Sequence, residues 1–205
     1  MGVFCNWRNP PVQSSIPSVV LVFNKPYGVL SQFTQEVAGQ LTLGQFSFPP
    51  RVYPVGRLDA DSEGLLLLSD EPGFNNRLLD PKNAHWRKYW AQVEGIATQA
   101  HTQRLESGLE IQSKRTLPAR AHVITPDVPP RIPPIRERKA IPTSWIELEL
   151  REGRNRQVRK MTAAVGLPTL RLIRVAISDF TLPPDLSPGN WMEATPSDHA
   201  RILPP

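Results

Sequence analysis

GRLDADSEGLLLLSD, residues 56–70, places two patterns end to end. Asp59, Asp61 and Glu63 alternate beside Arg57, and Leu65 to Leu68 then run without a polar break. An uninterrupted apolar run of this length predicts a strand covered on both faces, because a half-exposed strand would alternate. The acid row before it admits three readings. It is a solvated turn shaped by Ser62 and Gly64, a magnesium-binding pair, or a loop holding one carboxylate at the mouth of a cleft as nucleophile or base. The metal reading is the weaker, since Asp-x-Asp phosphotransferases usually carry the pair after a hydrophobic strand and here it comes before one.

Working outward, Ser18 to Phe23 reads as a strand, Asn24 to Gly28 as a turn, and Val29 to Phe33 as extended. Gly73 to Leu79 reads as a helix. From Lys88 to Glu94 the residues alternate, Tyr89, Ala91 and Val93 against Lys88, Trp90 and Gln92, as in a strand with one buried face. Thr98 to Ser107 is helical, and Arg115 to Ile124 is extended with Pro118 favouring a sheet edge. Six prolines between Pro126 and Pro142 rule out a helix and predict an extended loop. Ser144 to Leu150 alternates again, with Ile146, Leu148 and Leu150 inward. Asn155 is placed to cap a helix ending before Gly166, with a core stripe of Val158, Met161, Thr162 and Val165. Pro168 to Ile177 and Asn190 to Glu193 are strands, and Ser197 to Ile202 is a short helix. Strands and helices mix without a βαβ rhythm, so the expected class is α+β, with a mixed, mainly antiparallel central sheet. Residues 1–16 read as a flexible leader, and 17–205 as one catalytic domain of two lobes.

Of 205 residues 40% are hydrophobic, which suits a folded chain rather than a disordered one. No apolar run approaches the ~20 residues of a membrane span. No signal peptide is evident, so the expected location is cytoplasmic, without a membrane partner. Cys5 is the only cysteine, which excludes an intrachain disulfide and a cysteine-based zinc site. None of His85, His101, His122 and His199 has zinc-motif spacing. The net charge of +5 favours a polyanionic partner. Arg151, Arg154, Arg156, Arg159, Lys160, Arg171 and Arg174 face one acid, Glu152, within 151–174. Several of these cations crowd a helix N-terminus, where the dipole disfavours positive charge, so an anion is expected nearby: RNA phosphate outside, or a carboxylate inside. Ordinary salt bridges to Glu147, Glu149 or Glu152 are the competing account.

Three motifs in order, GRLDADSEGLLLLSD at 56–70, KYWAQVEG at 88–95 and EGRNRQVRKM at 152–161, together with NKPYGVLSQF at 24–33, resemble the RsuA-type family of bacterial rRNA pseudouridine synthases. PPIRERKAIPTSW at 133–145 and TLRLIR at 169–174 are most similar to the E type that acts on the large subunit. The resemblance spans about Leu21 to Glu193. It implies the pseudouridine synthase fold with a cleft across the sheet, and no S4-like domain, so that the catalytic domain finds RNA with its own surface.

The resemblance also implies the site. It puts the catalytic aspartate on Asp59, the active-site tyrosine on Tyr89, and the arginine that pairs with the aspartate on Arg159. RNA contacts are expected from Arg57, Arg136, Arg138, Lys139, Arg154, Arg156, Lys160 and Arg171. The implied substrate is 23S rRNA or a pre-ribosomal large-subunit particle, met by a monomer without a protein partner. Breaking the uracil–ribose C–N bond, turning the base and rejoining C1′ to C5 involves no net redox change, so no cofactor and no metal are expected. A carboxylate serves as nucleophile at base or sugar, or as the base that opens a glycal route. A non-catalytic RNA-binding or ribosome-assembly module is the alternative.

Overall fold

A computed structural model describes residues 18–136, 138 and 140–204. The expected leader, Cys5 and Lys139 lie outside them. The chain opens with β1 (Val20–Lys25) and two short parallel strands, β2 (Val29–Leu30) and β3 (Leu41–Thr42). The short β4 (Tyr53–Pro54) precedes β5 (Glu63–Ser69), helix α1 (Phe74–Leu79) and β6 (Arg87–Glu94). Helix α2 (Gln99–Glu106) leads to a small hairpin, β7 (Glu110–Ile111) and β8 (Lys114–Arg115), then to β9 (Arg120–Ile124) and β10 (Thr143–Leu150). Helix α3 (Gln157–Ala164), β11 (Thr169–Ile177), β12 (Phe180–Thr181), β13 (Trp191–Glu193) and α4 (Pro196–Ile202) complete it.

The main sheet runs β13-β1-β5-β11-β6-β10-β9, with β4 and β12 attached to β5 and β11. It is α+β and mostly antiparallel, as expected. Its one parallel junction is β5 with β11, where only Ile173↔Glu63 and Arg174↔Gly64 are in register. By contrast β1 and β5 align six pairs and β10 and β6 eight. The sheet is therefore two well-knit leaves joined along a short seam. Gly64 makes that seam possible: at φ +96°, a Cβ there would stand 2.4 Å from the Arg174 carbonyl oxygen.

Burial explains the two patterns seen in the sequence. In the first leaf Val20, Val22, Leu65 and Leu67 pack under α1 and α4. Leu21, Phe23, Leu66 and Leu68 enter a second cluster with Leu43, Val52 and Leu58. Both faces are covered, so the strands are continuously apolar. In the second leaf Ala91, Val93, Ile146 and Leu148 pack against Val158 and Met161 of α3. The opposite face stays polar, with Lys88 Nζ bridging Glu147 and Glu149 at 3.2 and 3.1 Å. Tyr89 touches the cores of both leaves and spans the seam.

Several boundaries shift. The extended stretch expected over 29–33 narrows to Val29–Leu30, and 115–124 is broken around Pro118, leaving β9 at the sheet edge. The cap of α3 is Arg156, in the left-handed region at φ 52°, and not Asn155. Asn155 instead accepts from Lys160 Nζ through its carbonyl oxygen at 2.7 Å.

Candidate functional site

Asp59 sits between two pinned residues. Leu58 is buried, and its N–H and carbonyl both bond the Ser31 hydroxyl, at 3.1 and 2.8 Å. Ala60 accepts from the Gly28 N–H at 2.7 Å, and Ser62 N–H closes the turn on the Asp59 carbonyl at 3.0 Å. The backbone is thus held on both sides while the Asp59 side chain remains 36% exposed. Among the described residues its carboxylate has one ion pair, with Arg156 Nη1 at 3.5 Å.

The next acid is held more firmly. Asp61 accepts from both Arg156 Nη atoms, at 3.0 and 2.7 Å. Partial burial by itself would raise its pKa, but the Arg156 hydrogen bond and the charges of Arg159 and Arg156 overcome that and hold the carboxyl below its usual range. The same bond raises Arg156 above the ordinary arginine value. Glu63 turns away and forms a buried fork-to-fork pair with Arg171, both contacts 2.9 Å. The acid row is therefore divided, Asp59 and Asp61 sharing Arg156 and Glu63 taking Arg171, and among the described residues no three His, Cys, Asp or Glu side chains converge as a metal-binding group.

The expected Arg159–Asp59 pair is replaced by a different arrangement. Arg159 Nη2 donates to the Asp61 carbonyl at 2.6 Å and lies 3.4 Å from its carboxylate, while Nη1 reaches the Thr169 carbonyl at 3.3 Å. Its guanidinium ties the acid loop to the start of β11, and the cation beside Asp59 is Arg156. The reason is reach: α3 begins at Gln157, so Arg156, in its left-handed cap position, projects ahead of the first turn. Burial lowers the Arg159 pKa, opposed by the charges of Asp61 and Asp59. Tyr89 is half-buried on β6, opposite Arg174 of β11.

The expected RNA contacts separate into two groups. Arg57, Arg136, Arg138 and Arg156 are exposed, Arg57 bonded to Gln32 Oε1 at 3.2 Å and Arg138 paired with Glu94 at 3.4 Å. Arg171 is corrected, while Arg154 and Lys160 are half-buried and bonded within the protein. Arg171 is 6% exposed, and besides Glu63 it donates to the Pro129 carbonyl at 2.7 Å, so it is a strut inside the protein. Arg154 bonds Glu152 and the carbonyls of Lys114 and Arg115. Lys160 bonds Gln112 and Asn155. In each case backbone carbonyls or a nearby side-chain oxygen accept from the cation.

Lys25 was not foreseen. It is fully buried, with Nζ donating to the carbonyls of Val29 and Pro26 at 2.7 and 3.0 Å. Burial pushes its pKa down to about 8, against the attraction of Glu63, Asp61 and Asp59. The signal was its phase: Lys25 continues the Leu21, Phe23 face of an apolar strand. Arg174 was seen only as part of a basic stretch. It is buried, donates from Nε to the Leu65 carbonyl at 2.8 Å, and among the described residues leaves Nη2 without a hydrogen-bond partner, as does Arg159 at Nε. Two cavities, of about 610 and 450 Å³, lie away from Asp59, lined by Trp86 and Ser178 and by Phe46 and Trp191 respectively. The Asp59 site is reached from the surface instead.

Residues 19–164 match the family described as RNA pseudouridylate synthase. A protein of Xanthomonas axonopodis pv. citri named ribosomal large subunit pseudouridine synthase E is 50% identical over 167 residues, 80% of this chain and 88% of that protein. One of the same name from Xanthomonas campestris pv. campestris is 47% identical, covering 91% of this chain and 99% of that one. A crystal structure of a pseudouridylate synthase superimposes with a TM-score of 0.76 over 91% of this chain and 74% of that chain, at 24% identity.

Proposed function

Because the chain belongs to the RNA pseudouridylate synthase family, we propose that it isomerises a uridine of 23S ribosomal RNA to pseudouridine, with Asp59 as the catalytic carboxylate. The observation that carries the residue assignment is the contrast within the acid row. Glu63 is consumed by Arg171 and Asp61 by two hydrogen bonds from Arg156, whereas Asp59, about as exposed as Asp61, has among the described residues only the longer ion pair and so keeps its oxygens uncommitted on a rigid backbone. A carboxylate that must attack carbon or remove a proton needs both properties.

In this reading Arg156 holds Asp59 ionised when the uridine covers it and excludes water, since desolvation alone would favour the neutral acid. Arg159 acts as a positioning residue: it fixes Asp61 and through it the turn that carries Asp59. Tyr89, bridging both leaves, offers its ring to the uracil and its hydroxyl to proton transfer. The target nucleotide leaves its stack at a cost of a few kcal/mol, offset by contacts in the pocket and by phosphates on the exposed cations Arg57, Arg136 and Arg138. The substrate is the free rRNA or an assembling large-subunit particle, met in the cytoplasm by a monomer.

Tritium release from uridine C5 of 23S and 16S transcripts, in the presence of EDTA, tests the proposal. Release from 23S alone, abolished by Asp59→Asn, is expected. Release that survives Asp59→Asn moves the chemistry to another residue.

A further inference from the structure

The proline-rich segment after β9 does not hang free. Pro129 is tied through its carbonyl to Arg171, and thereby to Glu63. Two residues on, Arg131 folds back on its own loop, donating to the carbonyls of Pro133 and Pro134 at 2.8 and 2.9 Å. The same guanidinium lies flat against Tyr27, 3.9 Å from the ring centre. Tyr27 precedes Gly28, whose N–H holds Ala60, and it stands within electrostatic range of Arg159. The loop is therefore held at two points, at Glu63 through Arg171 and at Tyr27, next to the Gly28 that bonds the acid row at Ala60.

Directly after the second anchor, Arg131, stands Ile132, 90% exposed, the most exposed of the large apolar side chains among the described residues. A fixed tip that presents a bulky aliphatic group to solvent beside a cationic cleft has a poor reason to exist in the free protein. Folding gains nothing from it, and the neighbouring arginine is spent on keeping the loop rigid. It fits a partner that offers an apolar slot between polyanionic strands, which is the interior of a base stack.

We propose that Ile132 is the wedge that fills the stacked position vacated when the target uridine swings out to Asp59, an inference that rests on the reading of the cleft given above. Arg131 and Tyr27 form the mount that fixes the height and angle of the wedge. Ile132 is thus a positioning residue, acting on the conformation of the RNA and not on the reacting atoms.

The test uses a fragment of large-subunit rRNA carrying the mapped target uridine, with 2-aminopurine beside it to report unstacking. On the folded fragment Ile132→Ala should slow single-turnover conversion about ten-fold, the scale of one lost stacking contact, while Kd moves by less than about three-fold. In an Asp59→Asn background it should suppress the 2-aminopurine signal that the Asp59→Asn protein alone produces. Ile132→Leu, which keeps the bulk, should recover most of the rate, and an RNA whose target uridine is already unpaired and unstacked should narrow the deficit towards two-fold. Wild-type rate and full fluorescence in Ile132→Ala would overturn the wedge, and so would an equal deficit on both RNAs, the mark of a displaced loop. Absence of pseudouridine from the wild-type protein on either RNA would instead sink the function proposed above, with the fluorescence comparison still deciding for or against the wedge.

Discussion

Three residues separate Asp59 from Glu63, and the two ends of that acid row are built in opposite ways. Glu63 is buried, both of its oxygens are taken by Arg171, and Arg171 in turn takes a loop carbonyl. Asp59 is more than a third exposed and has a single ion pair, at 3.5 Å. The first arrangement leaves nothing to react and fixes a junction between strands and loop. The second holds backbone and charge while leaving the oxygens open. Charge and spacing are the same along the row. What separates structure from chemistry is how fully each carboxylate has been satisfied.

Exchanging the two ends should break this contrast most sharply. Asp59→Asn is expected to lower turnover by at least ~10³-fold, the scale of losing a covalent or acid–base group, while leaving stability within about 0.5 kcal/mol, as for exposed positions. Glu63→Gln should do the reverse, costing roughly 3–5 kcal/mol in denaturant unfolding because Arg171 becomes a buried unpaired charge. A stable, inactive Glu63→Gln protein would refute the division of labour. Arg159→Lys comes next: one ammonium cannot reach Asp61 and Thr169 together, so kcat should fall about 10–100-fold with a small change in Tm.

Lys25 sharpens the picture through pH. Below about pH 8 it is protonated in the folded and unfolded chain alike, and its burial penalty is fully present. As pH rises from about 8 towards its ordinary 10.5, the folded protein releases the proton while the unfolded chain still holds it. Stability should therefore rise across that window by up to about 3 kcal/mol. Lys25→Met, followed by chemical denaturation at several pH values, should lose that slope. The smallest effect belongs to the exposed cations: Arg136→Ala should weaken RNA binding without touching Tm and reduce the salt slope of log K by about one.

Much of this organisation was legible in the sequence. The unbroken Leu65–Leu68 run announced a strand covered on both faces, and the alternation in β6 and β10 announced one with a polar side. The family motifs pointed to Asp59. What they did not reveal was which cation answers which acid. Arg156 and Arg159 lie three residues apart on one basic stretch, and only the left-handed cap at Arg156 decides which of them reaches Asp59. Arg171 looked like a surface cation because its partner, Glu63, lies 108 residues away in sequence. Burial of a charged pair is a property of tertiary packing, which local pattern does not encode.

The short seam between β5 and β11 gives the molecule a mechanical character. The acid row enters one leaf through β5, and the chain carrying Arg156 and Arg159 enters the other through β11. The contacts of Asp61 with both arginines are therefore rivets driven across the weakest line of the sheet. In amide-exchange terms, the two leaves are expected to open as separate units sharing a boundary at residues 63–64 and 173–174. Any RNA gripped by Asp59 on one side and by the exposed Arg136 and Arg138, between β9 and β10, on the other would stitch that boundary shut. Slowed exchange at the seam, far from any phosphate, would be the imprint left on the protein by its own cargo.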